Sequence, residues 1–168
     1  MSVDTVARSD FRSVRRSSVV LGVVVAFVGM VALVFLGSSS VHPEPVRTTW
    51  GFSALVVWVF PLLVAPLTYL AIAGDRERGS IKYHLGLPNS RGKYFLAKYV
   101  SRTGVAAVTM ALGVVVAFVV ATATYESAPD LVRFLTLGAI SVLFAVAIAG
   151  VFVALSASVT TRSRAMFG

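Results

Sequence analysis

Four apolar runs without an ionisable residue divide this chain of 168 residues. They extend from about Val19 to Leu36, Phe52 to Ala73, Thr103 to Thr124 and Phe134 to Val159. A hydrocarbon core of about 30 Å takes roughly 20 helical residues to cross, and each run is close to that length. An ionised side chain at a span centre costs about 2.5–3.5 kcal/mol on insertion, so four uncharged windows in one short chain read as membrane spans. The expected fold is all-α: a polytopic bundle of four transmembrane helices over residues 19–159, with a segment 1–18 before it and a tail 160–168 after it. At 57% hydrophobic residues the chain has too little polar surface to coat a water-soluble globule.

Lys and Arg near span ends stay on the cytoplasmic side, and their distribution here is one-sided. Arg8, Arg12, Arg15 and Arg16 precede the first span; Arg76, Arg78, Lys82, Arg91, Lys93, Lys98 and Arg102 lie between the second and third; Arg162 and Arg164 follow the fourth. The remaining connections hold only Arg47 and Arg133, beside Glu44, Glu126 and Asp130. Both termini and the loop 74–102 are therefore predicted to be cytoplasmic. The net charge of +8 is a topology signal and an attraction to anionic lipid; nucleic acid is not an expected partner, because the chain has no soluble basic face. A cleaved signal peptide is the rival reading of the amino terminus. The first apolar run is longer than the 7–15 residues of a usual signal core, and its removal would break the charge pattern.

Residues 5–17 place Val6, Phe11 and Val14 among four arginines, which suits either a short interfacial helix or a solvated basic tail. The outer connections, 37–51 and 125–133, are too short to hold a folded domain. Pro61 and Pro66 inside the second span each remove a backbone hydrogen bond, so a bent helix is expected, as a packing kink before a gating hinge. Small residues recur every fourth position at Gly113, Ala117 and Ala121 and again at Gly150, Ala154 and Ser158, which suits close helix packing.

The same residues exclude several chemistries. Proton or ion relays usually leave an acidic residue or histidine at membrane depth, and the four spans contain neither. Ser53, Ser141, Ser156 and Ser158 have no acid, histidine or cysteine in their spans to activate them. The absence of cysteine rules out disulfides and thiolate metal sites, and His42 and His84 fall on opposite sides of the predicted membrane. The stretch GLPNSRGKY at Gly86 to Tyr94 is not a phosphate-binding loop: its glycines are one residue too far apart and Tyr94 replaces the metal-binding hydroxyl. No catalytic, cofactor-binding or metal residues are assigned.

What remains is the charged loop. Asp75 and Glu77 stand before a short helix predicted over Gly79 to Leu85, where carboxylates suit the positive helix end and Ile81 and Leu85 share a face. Leu87-Pro88-Asn89-Ser90 breaks it, and Ser90 is placed to cap a second helix through Tyr94, Phe95, Leu96 and Tyr99 into the third span. Basic side chains snorkelling at the lipid surface would explain the charge alone. A docking element for a cytoplasmic protein also explains the length of the loop and its two acids.

At these residues the sequence resembles the membrane subunits of ATP-binding cassette transporters of the type-2 permease family. The acidic-basic-acidic run and the small residues after it correspond to Asp75, Arg76, Glu77, Arg78, Gly79 and Ser80, and a following element to Leu87, Pro88, Asn89, Ser90 and Arg91. Lys98 matches the next basic position. Asp10-Phe11-Arg12 with Arg15 and Arg16 is similar to the family's interfacial helix, and Arg162 and Arg164 to the segment after the fourth span. Asp75 stands where Glu is usual and Ser80 where Thr is common. Family members usually have six spans, so the chain is expected to be a fragment lacking the last two.

The resemblance implies a permease subunit in a prokaryotic plasma membrane, paired with a second permease subunit and with separate ATP-binding subunits that hold ATP and Mg. It implies that Asp75 to about Leu87 is the coupling helix, and that transport is export. The alternative is a four-span membrane anchor or regulator of a cytoplasmic partner that moves no substrate.

Overall fold

The computed structural model describes residues 17–40, 45–68 and 91–158. Helix α1 spans Ser18–Ser39. Its eight valines would argue for a strand in water. In lipid every backbone N–H and C=O must be satisfied within its own segment, and a helix does this at any composition.

The second span is interrupted. Helix α2 covers Pro45–Ala54, a π-helical stretch follows over Leu55–Val59, and α3 covers Phe60–Thr68. Pro45 occupies the first helical position, where a missing N–H costs nothing, so the helix starts seven residues before the expected Phe52. Arg47 had ended the apolar window, yet a charge near a span end does not stop helical hydrogen bonding. The wide turn lies just before Pro61, whose ring would strike the Val57 carbonyl in an α-helix. In place of the α pattern, the Phe60 N–H donates to the Leu55 carbonyl five residues back. Pro66 continues inside α3. The expected disturbance of the second span thus takes the form of a π turn.

Helix α4 is one unbroken helix over Arg91–Thr124, and α5 covers Leu131–Ser158. Asp130 caps α5: its Oδ1 accepts from the Val132 and Arg133 amides at 2.9 and 3.2 Å, and its Oδ2 lies 3.5 Å from Arg133 Nε. Four helical stretches are long and apolar enough to cross a membrane: Ser18–Ser39, Thr48–Pro66, Phe95–Thr124 and Leu131–Ser156. The described residues are helical apart from their connections, and the chain is a multi-pass membrane protein.

Helix α4 is central, packed along α1 on one side and α5 on the other, while α2 lies on α1 and α3 on α5. The seams use small residues. Gly113, Ala117 and Ala121 form a buried ridge on α4, and Phe27 of α1 lies so close over Gly113 that an added Cβ would come within 2.6 Å of the ring. On α5 the expected ridge is corrected. Gly150 is buried, but Ala154 and Ser158 are exposed, and the packed line is Phe134, Gly138, Ser141, Ala145, Ala149 and Val153. Ala154 follows the buried Val153 by one residue, about 100° around the helix, which turns the expected line away from the packed face.

Aromatic rings fill the core. Phe27 meets Phe60 edge-on at 5.0 Å between centroids, and Phe118 meets Phe134 at 5.3 Å. Many hydroxyls inside the spans turn back onto their own helix, as Thr109 does to the Val105 carbonyl and Ser141 to that of Leu137. Each such bond hides a polar atom from lipid.

Candidate coupling surface at the inner end of the bundle

The two ends of the bundle can be told apart by what they hold. At one end the Tyr125 hydroxyl donates to the Phe35 carbonyl at 3.3 Å and hydrogen-bonds the Thr48 hydroxyl. These bonds bring together the end of α1, the start of α2 and the end of α4, so both short connections sit at this end. The opposite end carries the start of α1, the end of α3, the start of α4 and the end of α5. The charge distribution predicts that the first is the outer end and the second the inner.

Residues 69–90 join α3 to α4 at the inner end. The sequence-derived coupling residues Asp75, Arg76, Glu77, Arg78, Gly79, Ser80, Ile81, Leu85, Leu87, Pro88 and Ser90 all fall there, outside the described residues, as does the interfacial helix expected before Ser17. Arg91 is the first residue of α4, so Ser90 holds the sequence position of its N-cap. The segment leaves α3 at Thr68, which is buried and bonds back to the Val64 carbonyl at 3.0 Å.

The described part of this end is the inner third of α4. At about 1.5 Å per residue, its 34 residues measure about 50 Å. That exceeds a hydrocarbon core of about 30 Å, so the helix that begins at Arg91 continues rigidly to the outer surface. The inner stretch is half-submerged in protein. Ala97, Lys98, Ser101 and Thr103 are buried, with Lys98 only 8% exposed, while Leu96 and Val100 are exposed. A lysine without compensation is costly to bury; Lys98 and its neighbour one turn on, Arg102, both have partners in the structure.

Tyr99 ties this stretch to α5. Its hydroxyl lies 2.9 Å from where a Gly150 Cβ would stand, so the Tyr99 ring rests directly on the Gly150 backbone, in space that a larger residue would take from it. The Thr103 hydroxyl bonds the Tyr99 carbonyl at 2.7 Å. Motif reading had marked Lys98 for its charge, but its burial and the Tyr99–Gly150 contact were missed. A periodic reading of residues 97, 98, 101, 105 and 106, with the charge of Lys98 ignored, would have found the buried face.

No set of His, Cys, Asp or Glu side chains able to hold a metal ion occurs among the described residues. Comparison with curated proteins finds no match. A family model described as "ABC-2 family transporter protein" matches residues 5–168, which is nearly the whole chain. The long apolar helices, the membrane-spanning architecture and that match agree, and the chain belongs to the ABC-2 family of transporter permeases.

Proposed function

We propose that this chain is the permease subunit of an ATP-binding cassette exporter in a prokaryotic plasma membrane. It forms the substrate pathway with a second permease subunit and takes its driving force from separate ATP-binding subunits, which hold ATP and Mg. Asp75 to about Leu87 is the element those subunits grip, and Leu87, Pro88, Ser90 and Arg91 turn the chain from it into α4.

The observation that carries this reading is the continuity of α4 from Arg91 to Thr124. A push delivered through residues 75–91 would enter a helix that runs unbroken from Arg91 to Thr124. The Tyr99–Gly150 contact hands part of that displacement to α5. ATP-driven closure of the partners is thereby converted into helix movement, the ordinary currency of access switching. The spans then need no titratable relay of their own.

The test is reconstitution with the native ATP-binding subunit. Replacing Glu77 with Gln and Gly79 with Val should abolish ATP-linked transport while membrane insertion is retained. Unchanged transport would remove the loop from the coupling path. Purification of the chain from its native membrane without any ATP-binding subunit would favour an anchor or regulator.

A further inference from the structure

The coupling reading leaves the outer end unexplained, and two features there belong together. The first is the break in the second span. Its inner part, α3, packs mainly on α5 and also meets α1 through Phe60, whereas its outer part, α2, packs on α1, and the π-helical stretch Leu55–Val59 lies between them with Pro61 just after it. A π turn followed by proline lacks the regular ladder that stiffens an α-helix, and such turns recur at functional sites.

The second feature is a polar clasp in an apolar setting. Tyr125 is 8% exposed and Thr48 2%. With the Tyr125 proton given to the Phe35 carbonyl, the Thr48 hydroxyl is the donor to the phenolic oxygen. The bond from Thr48 reaches across the bundle from α2 to the end of α4. The Phe52 ring meets Phe35 edge-on at 6.2 Å, and Phe35 in turn meets Phe134 at a tilt at 6.3 Å, so the clasp lies beside a row of buried rings at this end.

We propose that α2, Pro45–Ala54, is an outer gate that swings on the π-helical hinge and is held shut by the Thr48–Tyr125 hydrogen bond. The apolar part of its seat is shallow. Gly51 lets α2 rest on Val34, where an added Cβ would stand 3.3 Å from the Val34 Cγ1, and Phe52 covers Phe35. Trp50 on the same helix is exposed. Swinging α2 outward breaks one cross-bundle hydrogen bond and separates one buried ring pair, Phe52 from Phe35. It leaves untouched the Phe27–Gly113 seam that holds α1 to α4.

The inference rests on the permease reading for its purpose and not for its test, which uses neither ATP nor a partner. Spin labels on cysteines replacing Trp50 and Leu131, both exposed, report the distance across the outer seam of the chain in lipid nanodiscs. Tyr125→Phe removes the acceptor that Thr48 needs. Each hydrogen bond within a membrane bundle is worth about 0.6 kcal/mol on average and up to about 1.7. The longer-distance population should therefore rise roughly threefold to twentyfold.

Thr48→Val should do the same for α2, and the double variant should move α2 no further than Tyr125→Phe alone, because both remove the Thr48–Tyr125 bond; Tyr125→Phe also removes the bond to the Phe35 carbonyl, so Thr48→Val isolates the latch. Ser53→Ala is the control, since its hydroxyl bonds only the Thr49 carbonyl of its own helix at 2.8 Å. A second label pair at Leu36 and Leu131 should stay fixed in Thr48→Val, which leaves the Tyr125–Phe35 bond in place. An unchanged Trp50–Leu131 distance in Tyr125→Phe and Thr48→Val overturns the latch. Equal movement of the Leu36 pair in Thr48→Val overturns the hinge, because α1 would then be moving with α2.

Discussion

The seam between α1 and α4 allows a sharp test of the packing, in which one substitution is made at two glycines of the same helix. At Gly113 an added Cβ would lie 2.6 Å from Phe27 Cε1 and 3.2 Å from Cδ1, where ordinary contact begins at 3.4 Å. The ring edge must retreat by about 1 Å, and it has nowhere to go: Phe27 is fully buried with Phe60 edge-on behind it at 5.0 Å. Overpacking of this kind costs about 1–3 kcal/mol. At Gly104 an added Cβ meets nothing within 4 Å. Alanine gains roughly 0.8–1.0 kcal/mol of helix propensity over glycine at either site, so the propensity cancels when the two variants are compared.

Gly113→Ala should therefore be less stable than Gly104→Ala by about 1–3 kcal/mol, read from reversible unfolding in mixed detergent micelles by far-UV circular dichroism. Adding Phe27→Leu to Gly113→Ala should recover part of the loss, giving a coupling energy of roughly 0.5–3 kcal/mol in a double-mutant cycle. Equal stabilities for Gly113→Ala and Gly104→Ala would refute the claim that ring-on-glycine contact sets the spacing of this seam.

Three further outcomes follow from the same contacts. Asp130→Ala removes both side-chain bonds to the Val132 and Arg133 amides and should destabilise the start of α5 by about 0.5–2 kcal/mol, seen as faster amide exchange confined to residues 131–134. Gly150→Ala should cost little in unfolding, because the half-exposed Tyr99 can swing aside, yet it should lower ATP-linked transport by loosening α4 from α5; full transport would place that contact outside the coupling path. Single cysteines at Ser39 and Ser90 should react with an impermeant maleimide from opposite faces of the membrane, and labelling from one face would overturn the orientation.

The spans were legible because a charge-free run of about 20 residues has few other fates. Their ends were less so. A hydropathy window stops at the first charge, whereas a helix stops where its hydrogen bonds do. Hence α2 begins at Pro45 despite Arg47, and α4 begins at Arg91 with Lys98 and Arg102 inside it. The prolines announced a disturbed second span, but not that a wide turn ahead of Pro61 would absorb it. The clasp of Thr48, Tyr125 and Phe35 joins residues about 80–90 positions apart through two hydroxyls and a carbonyl, and no periodic pattern encodes such a meeting. The motif residues 75–90 were visible only as composition and spacing, and they lie outside the described part of the fold.

The two spans that flank the coupling segment differ in stiffness, and that difference decides where a push can go. Residues 69–90 are anchored on one side to α3 and on the other to α4. Force entering through α3 travels only from Thr68 to Phe60 before it reaches the π-helical stretch, where the α ladder is interrupted and displacement can be taken up by bending. Force entering through α4 meets regular hydrogen bonding over the full length of the membrane. On the proposed coupling role, the third span would be the transmitting arm and the second the compliant one. Stiffening the compliant arm should make the two alike. Pro61→Ala restores the N–H that an α-helix needs at that turn, and if it converts the π stretch to α-helix it should raise the ATP turnover that accompanies each transport cycle, since both arms must then move together. If ATP turnover and transport in Pro61→Ala match those of the native chain while the π stretch is lost, the asymmetry has no mechanical role.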